Sequence, residues 1–312
     1  MLLPREKRAR ESSAYMCPIT HELMVDPVQA SDGWTYEASA LAKWLETRNT
    51  SPLDPSLHLD IGLLRPNRAV RDAIEELVES GDLDDTVAET WRAAVKDLDS
   101  APELFRNGRI LEAAELGYPQ AQGTLAWKYY EGDGVAQDLE QSLKWARKAA
   151  CGGDGAGQYR VAYAYHTGEG LQCNWVEAVK YYSLAYHNGM DLACNNICEM
   201  YSTGGYGLPQ NDSKLFEWCS KSTSAKSLHM LGMCHYEGRG NDKDFPEARR
   251  NFKLASSECT ESQFMLGKML LRGEGGPTNL SQGFKFIEQA AKSGHTDARR
   301  LREAVIAECA RY

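Results

Sequence analysis

The feature that most limits how this 312-residue chain can fold is a glycine cluster that recurs five times between residues 130 and 280. The first glycines of the clusters are Gly132, Gly168, Gly204, Gly238 and Gly273. Their separations of 36, 36, 34 and 35 residues are typical of architectures that stack one supersecondary unit many times. One such unit cannot bury its own apolar face, so neighbouring units are expected to share a continuous core.

Each unit has the pattern of two helices joined by a glycine-rich turn. A small residue lies eleven positions before each first glycine: Ala121, Gly157, Ala193, Ser227 and Ser262. An aliphatic residue lies seven positions before it: Leu125, Val161, Ile197, Leu231 and Leu266. Because steps of four place side chains on one helical face, the pattern predicts a helix that a neighbour can approach closely. A second helical segment follows each cluster, and the glycines suit the positive φ of a helix C-cap.

The repeated unit resembles the Sel-like repeat, a relative of the tetratricopeptide repeat. The resemblance covers roughly residues 101–308. It rests on segments such as Ala121-Gln122-x-x-Leu125-Ala126-x-x-Tyr129-x-x-Gly132-x-Gly134-Val135. It implies an α-solenoid that binds a protein client on its concave surface. Residues 296–308 are rich in arginine and glutamate, and we interpret them as a closing cap. No loop completes G-x-G-x-x-G, which argues against phosphate binding.

Residues 15–79 carry a different, ordered set of motifs. They are Cys17-Pro18-Ile19-Thr20, Asp32-Gly33-Trp34-Thr35-Tyr36, Trp44-Leu45, Ser51-Pro52-Leu53 and Leu64-Arg65-Pro66-Asn67. Asp32-Gly33 predicts a turn, and the apolar spacing around Leu41 and Trp44 predicts a central helix. The set resembles the U-box domain of ubiquitin ligases, a RING-like fold without zinc. We place this small α+β domain at residues 13–80.

By this resemblance the chain is a ubiquitin-protein ligase that acts without a covalent intermediate and has no catalytic nucleophile of its own. It is expected to recruit a ubiquitin-loaded conjugating enzyme and to orient the thioester for attack by a client lysine. The resemblance assigns the docking groove to four residues: Pro18, Ile19, Trp44 and Pro52. Exposed aromatic and aliphatic anchors are the usual hot spots of an interface. The alternative for Ile19 and Trp44 is that they belong to the domain core.

Two positions depart from the family pattern. Some members place an arginine directly before the Ser-Pro pair, where it holds the ubiquitin conjugate in its reactive pose, but this chain has Thr50 there. Arg48 lies two residues earlier, so either Arg48 makes the contact or the role is absent. Trp34 stands where the family often has histidine, and we interpret it as a variation in packing.

The loops of this domain must be supported without a metal. Cys17 is the only cysteine in residues 13–80, so no set of zinc ligands is available, and no cofactor is expected. Hydrogen bonds, ion pairs and core packing would have to take that role. The polar candidates are Asp26, Ser31, Asp32, Glu37, Ser51 and Asn67. The sequence leaves open which of them pair.

Residues 81–100 join the two parts and are rich in aspartate. Val87, Trp91 and Val95 recur every four residues, which predicts a helix with one apolar face rather than a flexible tether. The hypothesis is a fairly rigid acidic linker that sets which client lysines lie within reach.

Composition and charge exclude several classes of partner. With 42% hydrophobic and 25% charged residues the chain has an ordinary globular composition, and its net charge of −9 argues against a nucleic-acid binder. No run approaches the roughly 18 apolar residues of a membrane span. Nine cysteines without a C-x-x-C pair, and no apolar segment for secretion, favour the cytoplasm, with the nucleus also open. Homodimers are common in the family, and the resemblance allows one here.

The predicted fold class is therefore mainly α: an N-terminal U-box followed by an α-solenoid of helix-hairpin repeats. A second hypothesis from another class is a non-catalytic adaptor or co-chaperone scaffold that docks partners without promoting transfer. Thr50, in place of a basic residue, is the sequence feature that favours it.

Overall fold

The computed structural model describes residues 13–45 and 47–309 of the chain. They form two compact units, one that ends at Met190 and one that begins at Asp191. Helices are numbered α1 to α15 and strands β1 to β3 in chain order. Within these described ranges, no helix is both long enough and apolar enough to cross a membrane.

A three-stranded antiparallel sheet lies near the start of the first unit. Its strands are β1 (Pro27–Gln29), β2 (Thr35–Glu37) and β3 (Arg65–Pro66), in the order β2-β1-β3. The turn between β1 and β2 contains Gly33 with a φ of 87°, a conformation that favours glycine. The Asp32-Gly33 turn predicted from the sequence is thus present.

Two helices and a short 3₁₀ turn complete this domain. They are α1 (Ala38–Leu45), α2 (Arg68–Glu79) and the 3₁₀ turn Ile61–Leu63. The side chain of Asn67 caps α2 by accepting a hydrogen bond from the N–H of Val70. The shared core includes side chains that are almost completely buried: Met24, Val28, Tyr36, Leu41, Leu45, Ile74 and Val78.

The acidic segment after α2 is helical, as its apolar spacing predicts. Helix α3 spans Asp85–Arg106 and therefore continues past residue 100. Trp91 is 5% exposed, and its indole N–H donates a hydrogen bond of 2.9 Å to the carbonyl of Met24. Arg92 bonds the carbonyl of Val78 at 2.8 Å. The first half of α3 thus packs on the U-box-like domain instead of standing apart from it.

Helix hairpins occupy the remainder of the first unit. The helices are α4 (Ile110–Glu115), α5 (Pro119–Glu131), α6 (Leu139–Cys151), α7 (Gly155–Thr167) and α8 (Trp175–His187). Gly132 ends α5 and Gly168 ends α7, with φ of 77° and 82° respectively. In both, the glycine N–H bonds the carbonyl four residues earlier, which is the left-handed C-cap predicted for the glycine clusters.

The second unit continues the same pattern. Its helices are α9 (Leu192–Thr203), α10 (Asp212–Cys219), α11 (Ala225–Glu237), α12 (Phe245–Ala255), α13 (Thr260–Arg272), α14 (Leu280–Lys292) and α15 (Thr296–Cys309). All five residues of the small column, from Ala121 to Ser262, are buried. In the aliphatic column Leu231 is half-buried and the other four are 4% exposed or less. The predicted solenoid of helix hairpins is confirmed.

Helix α6 also contacts the sheet domain. The side chain of Cys151, at its end, is 6% exposed and joins the core that contains Met24 and Leu41. Burial raises the pKa of this thiol to about 12, so it remains protonated near neutral pH. Arg147, one turn earlier, donates a hydrogen bond of 3.3 Å to the carbonyl of Leu45 at the end of α1. The first hairpin and the sheet domain therefore share a buried interface within the first unit.

Candidate functional site

The first loop of the domain is closed around the sulfur of Cys17. This side chain is fully buried, and its Sγ accepts backbone hydrogen bonds from Ile19 at 3.4 Å and Glu37 at 3.3 Å. The N–H of Cys17 donates to the carbonyl of Glu22 at 2.8 Å. Pro18 and Ile19 are held at the outside of the loop and remain half-buried. Cys17 has the contacts of a structural residue rather than those of a reactive thiol.

The second loop is tied to helix α1 by Trp44. The Trp44 indole N–H donates a hydrogen bond of 2.8 Å to the carbonyl of Thr50. Thr50 in turn pairs with His58 in an isolated antiparallel bridge. The Arg48 guanidinium lies 4.2 Å from the centre of the Trp44 ring, a cation–π contact. Trp44, Thr50 and Pro52 are half-buried, and Arg48 is exposed.

Glu37 and Asp26 meet beneath the first loop. The Glu37 Oε2 accepts backbone hydrogen bonds from Val25 at 2.8 Å and from Asp26 at 3.1 Å. Burial raises the pKa of the Glu37 carboxyl above its usual range, and these two N–H groups act in the opposite direction. Burial likewise raises the pKa of Asp26, with Arg71 acting against it. The half-buried carboxyl group of Glu37 therefore holds the backbone directly before β1.

Asp32 and Ser51 are brought together by Tyr36, which is not among the polar candidates predicted from the sequence. The hydroxyl of Tyr36 donates to Asp32 Oδ2 at 2.7 Å and lies 3.4 Å from Ser51 Oγ. Ser51 Oγ also accepts the N–H groups of Leu53 and Asp54, both at 3.1 Å. Burial raises the pKa of Tyr36 well above its ordinary value, so the phenol stays a donor. Tyr36 is buried in β2 between half-buried Thr35 and Glu37. The alternation of side chains along this strand is the pattern that could have identified it.

The last two polar candidates make separate contacts. Ser31 Oγ accepts the N–H of Asp60 at 3.0 Å, which attaches the segment before the 3₁₀ turn to the β1–β2 turn. The side-chain amide of Asn67 donates to Thr35 Oγ1 at 2.9 Å, and its N–H bonds the carbonyl of Pro27 at 2.7 Å. The six candidates thus make contacts at four separate places.

Trp34 does not pack in the core. Its side chain is 56% exposed at the β1–β2 turn. Its backbone is held at both polar groups, because the N–H donates to Asp32 Oδ1 at 3.0 Å and the carbonyl accepts the N–H of Ala30 at 2.8 Å. The interpretation of Trp34 as a packing variation is wrong, because a side chain at the tip of a two-strand turn points past the edge of the core.

Ile19, Trp44 and Arg48 line one wall of a cleft of about 1120 Å³. Pro18 and Pro52 lie outside that lining, so the four predicted docking residues do not share one wall. Among residues 13–45 and 47–309, no group of three or more histidine, cysteine or acidic side chains is placed to hold a metal ion.

Comparison with known proteins agrees with both parts of this architecture. The model of the U-box domain matches residues 13–82. The model of the Sel1 repeat matches five successive segments: 119–154, 155–190, 191–227, 225–258 and 260–295. The repeats cover more than half of the chain, which therefore belongs to the Sel1 repeat family and carries an N-terminal U-box domain. Both predicted resemblances are confirmed.

Curated relatives match the front of the chain. The putative U-box domain-containing protein 58 of Arabidopsis thaliana is 55% identical over 74 residues, which are 23% of this chain and 17% of that protein. The WD repeat, SAM and U-box domain-containing protein 1 of Danio rerio is 49% identical over 61 residues, 19% of this chain and 12% of that protein. The chain thus spans less than a fifth of these relatives' length.

Solved structures match the repeats in fold. A Sel1 repeat protein from Oxalobacter formigenes gives a TM-score of 0.57 at 22% identity, over 65% of this chain and 88% of that one. The protective antigen c5321 of uropathogenic Escherichia coli gives 0.58 at 24% identity, over 95% of this chain and 58% of that one. At these identities the likeness concerns the fold alone.

Proposed function

We propose that this chain is a ubiquitin-protein ligase whose U-box recruits a ubiquitin-loaded conjugating enzyme and whose repeats hold the protein client. The observation that carries the proposal is the U-box domain itself, in which two loops closed by hydrogen bonds leave Ile19 and Trp44 half-buried beside an open cleft. Half-buried apolar residues next to a cleft are suited to anchor a partner.

The four docking residues keep their proposed role. Pro18 and Ile19 would contact the conjugating enzyme from the first loop, Trp44 from α1 and Pro52 from the second loop. The partial burial of all four supports this, because a pure core residue would be closed to solvent. The alternative that Ile19 and Trp44 serve only the core is less well supported for the same reason.

The hydrogen bonds of the polar candidates would replace the zinc ions of a RING finger. Glu37 holds two N–H groups of the first loop, and Ser51 holds two of the second. Tyr36 links Ser51 to Asp32. Loops held in this way are preorganised, so little entropy is lost when a partner binds.

Transfer would proceed directly from the conjugating enzyme to a client lysine. The thioester carbonyl is attacked by the lysine amine, the carbon–sulfur bond breaks, and the thiol of the conjugating enzyme leaves. The ligase contributes by ordering these partners. The buried and hydrogen-bonded sulfur of Cys17 supports a mechanism without a ligase thioester.

The domain plan follows from this division of roles. We assign recruitment to residues 13–80, connection to residues 81–100 and client binding to residues 101–308. Because α3 packs on the U-box through Trp91, the connecting segment would act as part of the ligase head. This placement would restrict the client lysines that can reach the thioester.

Reconstituted ubiquitination tests the proposal. The purified chain is mixed with activating enzyme, a panel of conjugating enzymes, ubiquitin and ATP, and ubiquitin ladders are followed on gels. Ladders that disappear with Ile19→Ala support the proposal. An absence of ladders and of binding across a broad panel would reject it.

A non-catalytic adaptor is the second candidate, favoured by Thr50. The position that bears an arginine in some U-box proteins carries no charge here, and Arg48 is stacked on Trp44. If Arg48 makes the ubiquitin contact, Arg48→Ala should reduce lysine discharge while binding of the unloaded conjugating enzyme persists. The native chain would be identified as an adaptor that lacks this one contact by two results together. It binds the conjugating enzyme without promoting lysine discharge, and Thr50→Arg restores the discharge.

A further inference from the structure

The cleft beside Ile19 and Trp44 has a second wall that does not belong to the U-box. It is formed by the later part of α3, the end of α4 with the turn that follows, and α6. These helices present Leu98, Leu116 and Lys144 to the cleft, opposite the U-box residues. The helices that precede and open the repeat array therefore border the surface that we propose for the conjugating enzyme.

The two walls are joined by buried contacts rather than by a flexible connection. Trp91 of α3 donates a hydrogen bond to the carbonyl of Met24, and Arg147 of α6 donates one to the carbonyl of Leu45. Cys151, at the end of α6, lies within the U-box core. Packing of this kind gives the cleft a defined width before any partner arrives.

The size and chemistry of the cleft suit part of a protein. Its volume of about 1120 Å³ exceeds the roughly 300–1,000 Å³ of most small-molecule sites. Apolar side chains from both walls line it, and charged side chains accompany them: Glu22, Asp26, Glu37, Lys43 and Arg48 on the U-box side, and Asp97, Glu115, Lys144 and Lys148 on the helical side. A mixture of apolar and charged residues is the usual composition of a non-obligate protein interface.

The identity of the occupant follows from continuity. Ile19 and Trp44 are at once the proposed anchors of the conjugating enzyme and lining residues of this cleft. A protein that contacts both from the open side has a surface facing the helical wall. A small ligand or an unrelated protein would compete with that docking.

We propose that the conjugating enzyme docks into this composite cleft and that the helical wall, through Asp97 and Lys144, selects among conjugating enzymes. The inference rests on the proposed function, because it assumes that Ile19 and Trp44 anchor such an enzyme. It adds that residues outside the U-box determine which enzyme binds. Charged groups at a rim act mainly on partner choice and association rate.

Charge reversal in the full-length chain tests the inference. Lys144→Glu and Asp97→Lys change exposed side chains, so both variants should fold, which thermal unfolding verifies. Binding of each member of a conjugating-enzyme panel is measured at low and high salt. We expect at least one dissociation constant to change by about fivefold or more, less at high salt, and the order of preference to change.

Two controls separate the wall from the anchors. Lys285→Glu reverses an exposed charge on α14 in the second unit and should leave every dissociation constant unchanged. Ile19→Ala should abolish binding of all enzymes. Amine-reactive cross-linking gives an independent readout, because Lys144 or Lys148 should be linked to the bound enzyme.

The outcomes are distinguishable. If Ile19→Ala abolishes binding but both wall variants bind every enzyme within about twofold of the native chain, the composite cleft is wrong and the proposed function stands. If no enzyme binds the native chain, both are wrong. A conjugating enzyme whose affinity changes on Lys144→Glu, but not on Lys285→Glu, supports both.

Discussion

The indole N–H of Trp44 donates a hydrogen bond of 2.8 Å to the backbone carbonyl of Thr50. One side chain therefore offers an apolar surface to the cleft and also fixes the second loop to α1. Removal of Trp44 would disturb both, so loss of activity in Trp44→Ala would not by itself identify a docking contact. The Ile19 side chain offers the cleaner substitution.

Trp44→Phe separates these two effects. Phenylalanine keeps an aromatic ring but cannot donate to Thr50, so we expect the free energy of unfolding to fall by about 1 kcal/mol. Urea unfolding measures this loss, and binding of the conjugating enzyme is measured on the same sample. A variant as stable as the native chain would show that the hydrogen bond does not hold the loop.

Trp91→Ala should show that α3 is packed against the U-box domain. Removal of this 5% exposed indole opens a cavity against the U-box core and leaves the carbonyl of Met24 without its donor, so we expect a loss of about 3–5 kcal/mol. Denaturant unfolding of the full chain provides the measurement. Val87→Ala is the matched control on the same helix: Val87 is 40% exposed, and we expect a change within about 0.5 kcal/mol. Equal effects of the two substitutions would contradict the packing of α3.

Asp26→Asn should change how stability depends on pH. Burial raises the pKa of Asp26 in the folded state above its ordinary value of 3.8. Between pH 3.8 and that raised pKa, the folded state therefore binds more protons than the unfolded state. Stability of the native chain then falls as pH rises through that interval, and the asparagine variant lacks this contribution. The free energy of unfolding of the variant minus that of the native chain should therefore increase with pH, as urea unfolding at a series of pH values will measure.

Asp54→Asn is the control with the opposite sign. Hydrogen bonds from Ser56 lower the pKa of this exposed carboxyl, so its contribution to stability is present above the ordinary pKa and is lost as pH falls. The free energy of unfolding of Asp54→Asn minus that of the native chain should therefore decrease as pH rises. Parallel pH profiles for the two variants would refute the assignment for Asp26.

Gly157→Ala tests the close helix approach that the small column predicts. A Cβ at this position would lie 2.4 Å from the Cβ of Ala149 and 2.9 Å from the carbonyl oxygen of Ala146. The backbone atoms of α6 cannot move aside easily, so we expect a loss of about 1–3 kcal/mol despite the better helix propensity of alanine. Urea unfolding of the full chain measures this loss. In the same measurement Gln120→Ala, at an exposed position of α5, should stay within about 0.5 kcal/mol of the native chain. A stabilised Gly157→Ala chain would mean that α6 and α7 are farther apart.

Local patterns were sufficient to predict the repeat hairpins and helix α3. The spacing of glycines and small residues predicted the hairpins because a helical face and a left-handed cap each depend on a few neighbouring residues. The stripe Val87, Trp91 and Val95 predicted α3 for the same reason. Which surface Trp91 would cover was not predictable, because Met24 lies 67 positions away in the chain.

The sequence by itself determined the repeat array, the U-box and the residue types available to brace its loops. Only the tertiary structure decided that Tyr36 joins Asp32 to Ser51, that Trp34 faces solvent and that Cys151 enters the U-box core. The physical reason is that a periodic pattern reports which face of an element is buried but not which partner buries it. Which partner buries a face depends on the shape and volume left when all elements pack together. The same packing forms the cleft between the U-box and the first helices of the array.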